Sequence, residues 1–237
     1  MRPERVSEII RAAYADKRNS LYEHEAKELC GLFGLPVTKG SVVNSEDKAI
    51  EAARKIGFPV VLKIVSPQIL HKSDVGGVII NLTTEQEVRT GYNKILSNVK
   101  EKRPDAKVEG IFVQEMAPSS TEVIVGATKD PTFGFTVMFG IGGIFVEILK
   151  DVSFRLVPIT RPDAIDMIHE IKSYKILEGA RGMPKADESA LVDTLLSTSN
   201  MLVECPEIKE LDMNPVLIYE KGAKVVDARI ILEEPKA

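Results

Sequence analysis

Cysteine is scarce in the 237 residues, with only Cys30 and Cys205 present. Two isolated thiols exclude a disulfide framework and a cysteine-rich zinc site. Cys30 falls on an apolar helical stripe and Cys205 precedes Pro206, so both read as structural thiols of a reducing compartment. Dense basic runs are also lacking, and the formal net charge is −4. A chain that neutralises many phosphates of DNA or RNA carries a basic face, so nucleic acid is not an expected partner. No apolar run approaches the roughly 20 residues needed to span a bilayer. The opening MRPERVSEII has no apolar signal core. The expectation is a soluble, cytoplasmic protein without a membrane partner. A phosphate-cradling G-x-x-x-x-G-K-[ST] loop is absent, as are internal repeats and low-complexity tracts.

What is there reads as an ordinary globular mixture, 44% hydrophobic and 28% charged. Val6, Ile9, Ile10 and Ala13 recur at helical spacing. Ser20 and Glu23 suggest a capping box for a second helix bearing Ala26, Leu29 and Cys30. Asn44 or Ser45 is placed to cap a third helix, and Thr84 a fourth. Strands are expected at 59–65, 78–82 and 109–116, then as a meander through TEVIVGAT, FTVMFG and the run 144–159. Helices at 162–177 and 187–204 precede a terminal hairpin, ELDMNPVLIY and KVVDARIIL, turning at Lys221-Gly222. The pattern predicts an α+β protein of two lobes, 1–116 and 117–237.

Several residues stand out. Lys63 lies inside an otherwise apolar strand, where a lysine rarely sits without an anionic partner. A salt bridge and a contact to nucleotide phosphates both account for it. In HKSDVGG, His71 offers a neutral imidazole that can accept a phosphoryl group. Gly76 and Gly77 behind it could bring backbone N–H groups to an anion, although taken alone the segment reads more readily as a surface loop with a solvated histidine. FGIGGIF lacks the helix that a dinucleotide turn requires. It suits either a phosphate-approaching turn or a plain hairpin. Asp212 and Asn214 are two apart on one strand. A two-residue turn at Lys221-Gly222 sets Val216 opposite Asp227, which then lies diagonal to Asn214 on the same face. Such a set suits Mg²⁺, or else is an acidic solvated hairpin.

Taken in order, SLYEHEAKELCGLFGLPV, GFPVVLKIVSPQILHKSDVGGV, VQEMAP, the GIGG–VE run and ELDMNPV…VVDAR resemble one family. They are similar to succinyl-CoA synthetase β subunits and, more closely, to β subunits of ADP-forming acetate–CoA ligases. The resemblance runs from about Ser20 to Leu232. It implies an ATP-grasp fold, two α+β lobes with the nucleotide in the cleft between them.

By motif position, the resemblance makes Lys63 a phosphate contact and Gln114-Glu115-Met116 the segment that reads the adenine edge. Glu122 would line the adjoining pocket, Gly142 and Gly143 would let backbone approach the phosphates, and Arg155 would touch phosphate. Asn214 and Asp227 would hold Mg²⁺. Asp212 stands where succinyl-CoA synthetases carry glutamate, and would orient the phosphoryl-accepting His71. The implied reaction is acyl-CoA + phosphate + ADP ⇌ acid + CoA + ATP, with ATP/ADP as substrate and a phosphohistidine relay. It implies an α subunit carrying the acyl and CoA sites, in an α2β2 assembly. A self-sufficient ATP-grasp carboxylate–amine ligase would need an N-terminal acceptor domain, for which the roughly 58 residues before the Lys63 strand leave no room. A non-catalytic nucleotide sensor would be expected to lose the metal and phosphoryl groups, and His71, Asp212, Asn214 and Asp227 are all present.

Overall fold

A computed structural model describes residues 2–69, 71–143, 150–179 and 184–235. The chain forms two units, Thr38–Pro118 and the combination of Met1–Val37 with Ser119–Ala237.

In the Thr38–Pro118 unit the elements are β1 (Gly40–Val43), α1 (Glu46–Ile56), β2 (Val60–Val65), β3 (Val78–Leu82), α2 (Glu85–Lys102) and β4 (Gly110–Glu115). The antiparallel sheet has the order β1-β4-β2-β3. Alternation along β2 sends Val60, Leu62 and Ile64 into an apolar core shared with Ile50 of α1 and Ile95 of α2. Lys63 therefore falls on the opposite face, yet it is only 6% exposed. Ser45 caps α1 by accepting from the Lys48 N–H. Thr84 and Glu87 form a reciprocal box at the start of α2, as their spacing predicts.

The other unit opens with α3 (Glu4–Ala15) and α4 (Glu23–Leu32) and continues through β5 (Thr121–Asp130), β6 (Gly134–Ile141) and β7 (Val152–Leu156). Helix α5 (Arg161–Glu170), a 3₁₀ turn at Lys172–Ile176 and α6 (Glu188–Glu204) follow, then β8 (Ile208–Ile218), β9 (Ala223–Val225) and β10 (Arg229–Leu232). The sheet order is β10-β8-β5-β6-β7, with β9 extending the pairing of β8. Leu29 of α4, Met167 of α5, Leu195 of α6 and Val125, Phe139 and Met213 of the sheet share one apolar core. The opposite sheet face carries Asp212 and Arg229 beside apolar residues such as Met138 and Phe154. Cys30 and Cys205 are free and buried, and burial pushes both thiols up to about 12, which suits their expected structural role.

Four details differ from the sequence expectation. The chain crosses between the units twice, so residues 1–37 join the C-terminal half instead of a 1–116 lobe. Their apolar stripe needs the large sheet for burial, and the Leu21 N–H donates to Ile230 O (3.0 Å) while Val225 N–H donates to Pro36 O (2.8 Å). Helix α4 is not capped by Ser20: Glu25 accepts from the Tyr22 N–H (2.8 Å), and Glu23 pairs inside the protein with Lys27 (3.3 Å). The helix expected at 162–177 breaks after Glu170, where the Asp151 carboxylate accepts from the N–H groups of Lys172 and Ser173. The short strand β1 has no counterpart in the sequence reading. Part of the expected 144–159 strand, with Val146 and Glu147 of the GIGG–VE run, lies outside the described residues.

The terminal turn is also wider than two residues. Ile218 pairs with Ala223, and Tyr219 N–H donates to Gly222 O (3.1 Å). Asp187, the N-cap of α6, ties this turn down. Its carboxylate accepts from Gly222 N–H (2.7 Å) and Ala190 N–H (3.1 Å), and these bonds hold it below the usual aspartate range. Asp187→Ala should lower unfolding free energy by about 1 kcal/mol, the usual cost of a lost cap. A depressed folded-state pKa stabilises above the unfolded value and is lost as pH falls through the folded one. Urea unfolding should therefore separate mutant from wild type at neutral pH, and the gap should close in acid below the ordinary aspartate range. A gap that persists there would show that the carboxylate charge is not what holds the turn.

Candidate functional site

The polar face of the large sheet is built by the pairing of β8. On one side Val216 pairs with Val225 and Asp212 with Arg229. Val226 N–H donates to Pro215 O (3.0 Å) between them. Carried through this break, the register sets Asp227 directly across from Asn214, two residues from the diagonal position expected. The shift is even, so Asp227 keeps the same face. On the other side, Val123 pairs with Val216 and Val125 with Met213. Asn214 and Pro215 thus face Ile124 alone, a β-bulge that admits a proline, with no N–H to give, into an inner strand.

The bulge also changes which positions point inward. Leu211 and Met213 precede it in the core, and Val216 and Ile218 follow it there. Asp212 and Asn214 consequently share the outer face with Asp227 and Arg229. A row crosses the sheet here: Arg229 beside Asp212, Asp212 beside Gly126, Gly126 beside Met138 and Met138 beside Phe154. With no side chain at Gly126, these residues line a shallow pocket of about 240 Å³. Burial pushes the Asp212 carboxyl above the ordinary aspartate range, Arg229 opposes the rise, and Asp227 adds to it.

Glu122 and Gly142 lie further along β5 and β6. Gly142 N–H donates to Glu122 O (2.8 Å), and a Cβ at Gly142 would sit 3.1 Å from Glu122 Cβ. Gly142 is therefore a packing glycine with its N–H already committed. Gly143 has φ +65° and open space around it, so nothing in its own surroundings blocks a close backbone approach. Arg155 is not brought to the outer face. It pairs with Glu170 of α5 (2.8 Å) on the helical side, where the Ser153 hydroxyl also donates to Met167 O (2.8 Å).

In the smaller unit, Lys63 is flanked by Val78 and Phe112 on the neighbouring strands, and Gln114 is buried beside Val61. Glu115 N–H donates to Lys39 O (2.9 Å) and Met116 N–H to Pro59 O (3.1 Å). Proline has no N–H to return, so the Met116 carbonyl is left out of that strand pair. His71 is exposed on the loop between β2 and β3. The glycines behind it do not form the expected anion cradle. Gly76 N–H donates to Ser73 O (3.0 Å) and Gly77 N–H to Lys72 O (2.8 Å). A Cβ at Gly77 would meet Ile64 at 2.5 Å, so this glycine serves close packing under the loop.

Arg229 is the residue of this face that the sequence reading passed over. Its signal was available: it stands two positions after Asp227 in a strand pattern and so shares its face. Among the described residues, no cluster of three or more His, Cys, Asp or Glu side chains is arranged to hold a metal alone. Mg²⁺ does not need one, since it commonly takes one or two carboxylates together with substrate phosphates and water. Asn214 and Asp227 across one strand pair, with Asp212 adjacent, fit such an open hard-oxygen site.

Residues 12–232 match the ATP-grasp domain family. The chain is 50% identical over 231 residues to the acetate–CoA ligase [ADP-forming] I subunit beta of Pyrococcus furiosus, covering 98% of this chain and 99% of that one. A solved structure of Ca. Korarchaeum cryptofilum acetyl-coenzyme A synthetase 1, in complex with coenzyme A and Ca-AMPCP, superposes with a TM-score of 0.94 at 53% identity, covering 95% and 99% of the two chains. A second structure of that synthetase, with coenzyme A and Mg-AMPPCP and its phosphohistidine segment pointing towards the nucleotide binding site, gives 0.86 at 49% identity, covering 96% and 100%. With this polar face and this degree of likeness, the chain belongs to the ATP-grasp family and, within it, to the β subunits of ADP-forming acetate–CoA ligases.

Proposed function

We propose that this chain is the nucleotide-binding subunit of an ADP-forming acyl-CoA ligase, with acetate, the acid of the Pyrococcus furiosus relative, as its acid. The observation that carries the reading is the gathering of Asp212, Asn214, Asp227 and Arg229 on one sheet face by the β8 register. A partner α subunit supplies the acyl and CoA sites, in keeping with the subunit-beta relative that matches end to end. An α2β2 assembly is the expected stoichiometry.

Lys63 offers its charge to the nucleotide phosphates, and the Met116 carbonyl accepts from the exocyclic amine of adenine. Gln114, Glu115 and Glu122 border the nucleoside, and Gly143 permits backbone approach to phosphate. Asn214 and Asp227 are the Mg²⁺ ligands; when bound, the ion neutralises charge between phosphate oxygens. Arg155 is left out of the set because Glu170 engages it. His71 serves as phosphoryl acceptor. Its neutral ring nitrogen forms the N–P bond as the O–P bond of an acyl phosphate breaks, releasing the carboxylate. A terminal oxygen of ADP then takes the phosphoryl group and returns the neutral imidazole. Asp212 is the carboxylate proposed to orient a phosphoryl-carrying histidine.

Lys63→Met should weaken ADP binding on the order of tenfold to hundredfold, the equivalent of about 1.5–3 kcal/mol for a charge-assisted contact. Calorimetry that finds unchanged affinity in a folded mutant would return Lys63 to a structural role. Asp227→Asn and Asn214→Ala should weaken ADP binding in Mg²⁺ more than in chelator. Equal losses under both conditions would remove them from the metal shell. In the complex with its α subunit, His71→Ala should abolish turnover while ADP binding persists. Wild type given labelled ATP should carry acid-labile, base-stable phosphate on the His71 peptide. Retained turnover together with no label on this chain would rule out the relay.

A further inference from the structure

The loop that carries His71 is held by the C-terminal half of α2 and the residues just beyond it. At its start, Gln68 O accepts from Arg103 Nη1 (3.2 Å), and Gln68 Oε1 accepts from Lys107 N–H (3.0 Å). At its end, Asp74 O accepts from Lys102 Nζ (3.0 Å), and Gly76 O accepts from Asn98 Nδ2 (3.0 Å). Asn98 and Lys102 are four apart, so one helix face presents both donors.

Asn98 is the specific member of this set. Asparagine is an indifferent residue in a helix interior, and this one caps nothing. Its half-buried amide is instead spent on Gly76, which holds φ +65°. A Cβ on Gly76 would lie 2.6 Å from Asn98 Nδ2, so the glycine and the amide are fitted to each other. Lys102 reaches from the rim of the helix and is exposed, which makes it the weaker support.

We infer that Asn98, assisted by Lys102, is a positioning residue for His71: it fixes the exit of the β2–β3 loop and thereby the place of the imidazole. The inference rests on the proposed role of His71 and adds to it the device that holds the ring in register with its reaction. Positioning acts on the rate of group transfer, because small misplacements of a reacting atom are costly. It should leave nucleotide affinity alone, since Asn98 touches the loop and not the strand bearing Lys63.

The test uses the complete complex with its α subunit. Asn98→Ala, and the near-isosteric Asn98→Asp, which faces Gly76 O with a carboxylate in place of a donor, should each lower kcat by about tenfold, the rate equivalent of one lost hydrogen bond. KM for ADP should stay at the wild-type value, and the thermal midpoint should fall only by the few degrees that one hydrogen bond is worth. Lys102→Met should lower kcat less, and Lys102→Arg should restore it. Unchanged kcat in both Asn98 variants overturns the inference. So does a joint change in kcat, KM and midpoint, which would mark Asn98 as only structural. Labelling of His71 in wild type separates this from the relay. No label in wild type sinks the relay and the inference with it, whereas a labelled His71 with unchanged kcat sinks positioning alone.

Discussion

Strand β8 runs between β5 on one side and β9 and β10 on the other, and its hydrogen-bond register decides where Asp212, Asn214, Asp227 and Arg229 fall. Because side chains alternate with period two, a slip of one residue would bury Asp227 and expose Ala228. The bulge at Asn214-Pro215 resolves a conflict in this strand. Residues before it and after it both need to bury apolar side chains, yet Asp212 and Asn214 must stay on the outer face. Inserting one extra residue shifts the inward positions from Leu211 and Met213 to Val216 and Ile218. The same geometry accommodates proline where a regular inner strand would not. Asp187 then secures the far end of the hairpin to α6, so the register is pinned by a charge-assisted contact as well as by the ladder.

Glycine in this chain is used chiefly for close approach. Gly77 clears Ile64, Gly142 clears Glu122, and Gly126 opens the dent beside Asp212. The N–H groups of Gly76, Gly77 and Gly142 are all taken by nearby carbonyls. Those three backbone groups therefore have no N–H left to offer an anion. Burial raises the Asp212 carboxyl on this face, with Arg229 opposing the rise and Asp227 adding to it. The histidine loop belongs to a different arrangement. It is held by α2, where Asn98 and Lys102 share a face and donate to its carbonyls.

Periodicity and local chemistry were enough to read most elements, because each apolar stripe has one sensible place to go. The amphipathic helices, the caps at Ser45 and Thr84, the strand around Lys63 and the shared face of Asp212, Asn214 and Asp227 all follow from spacing within a short window. The ordered motifs, read together, were sufficient for the family. What was misread depends on partners distant in sequence. Ser20 and Glu23 satisfy the local rule for a capping box, but Glu23 is drawn to Lys27 and Glu25 takes the cap N–H. Arg155 reads as a phosphate contact only until β7 is paired with β6, which turns it towards Glu170.

By itself, then, the sequence determined which residues are chemically able to act, since residue type and local period are intrinsic to it. Tertiary structure decided which of them meet. Residues 1–37 joined the C-terminal unit because only the large sheet could bury their stripe. The terminal turn widened to bring Gly222 onto Asp187, and the resulting register moved Asp227 from the diagonal to a place directly across from Asn214. Gly76 and Gly77 acquired their purpose from Asn98 and Ile64, residues that no local pattern connects to them. Each of these outcomes depends on hydrogen bonds and burial across long sequence separations, and such contacts exist only once the chain has folded.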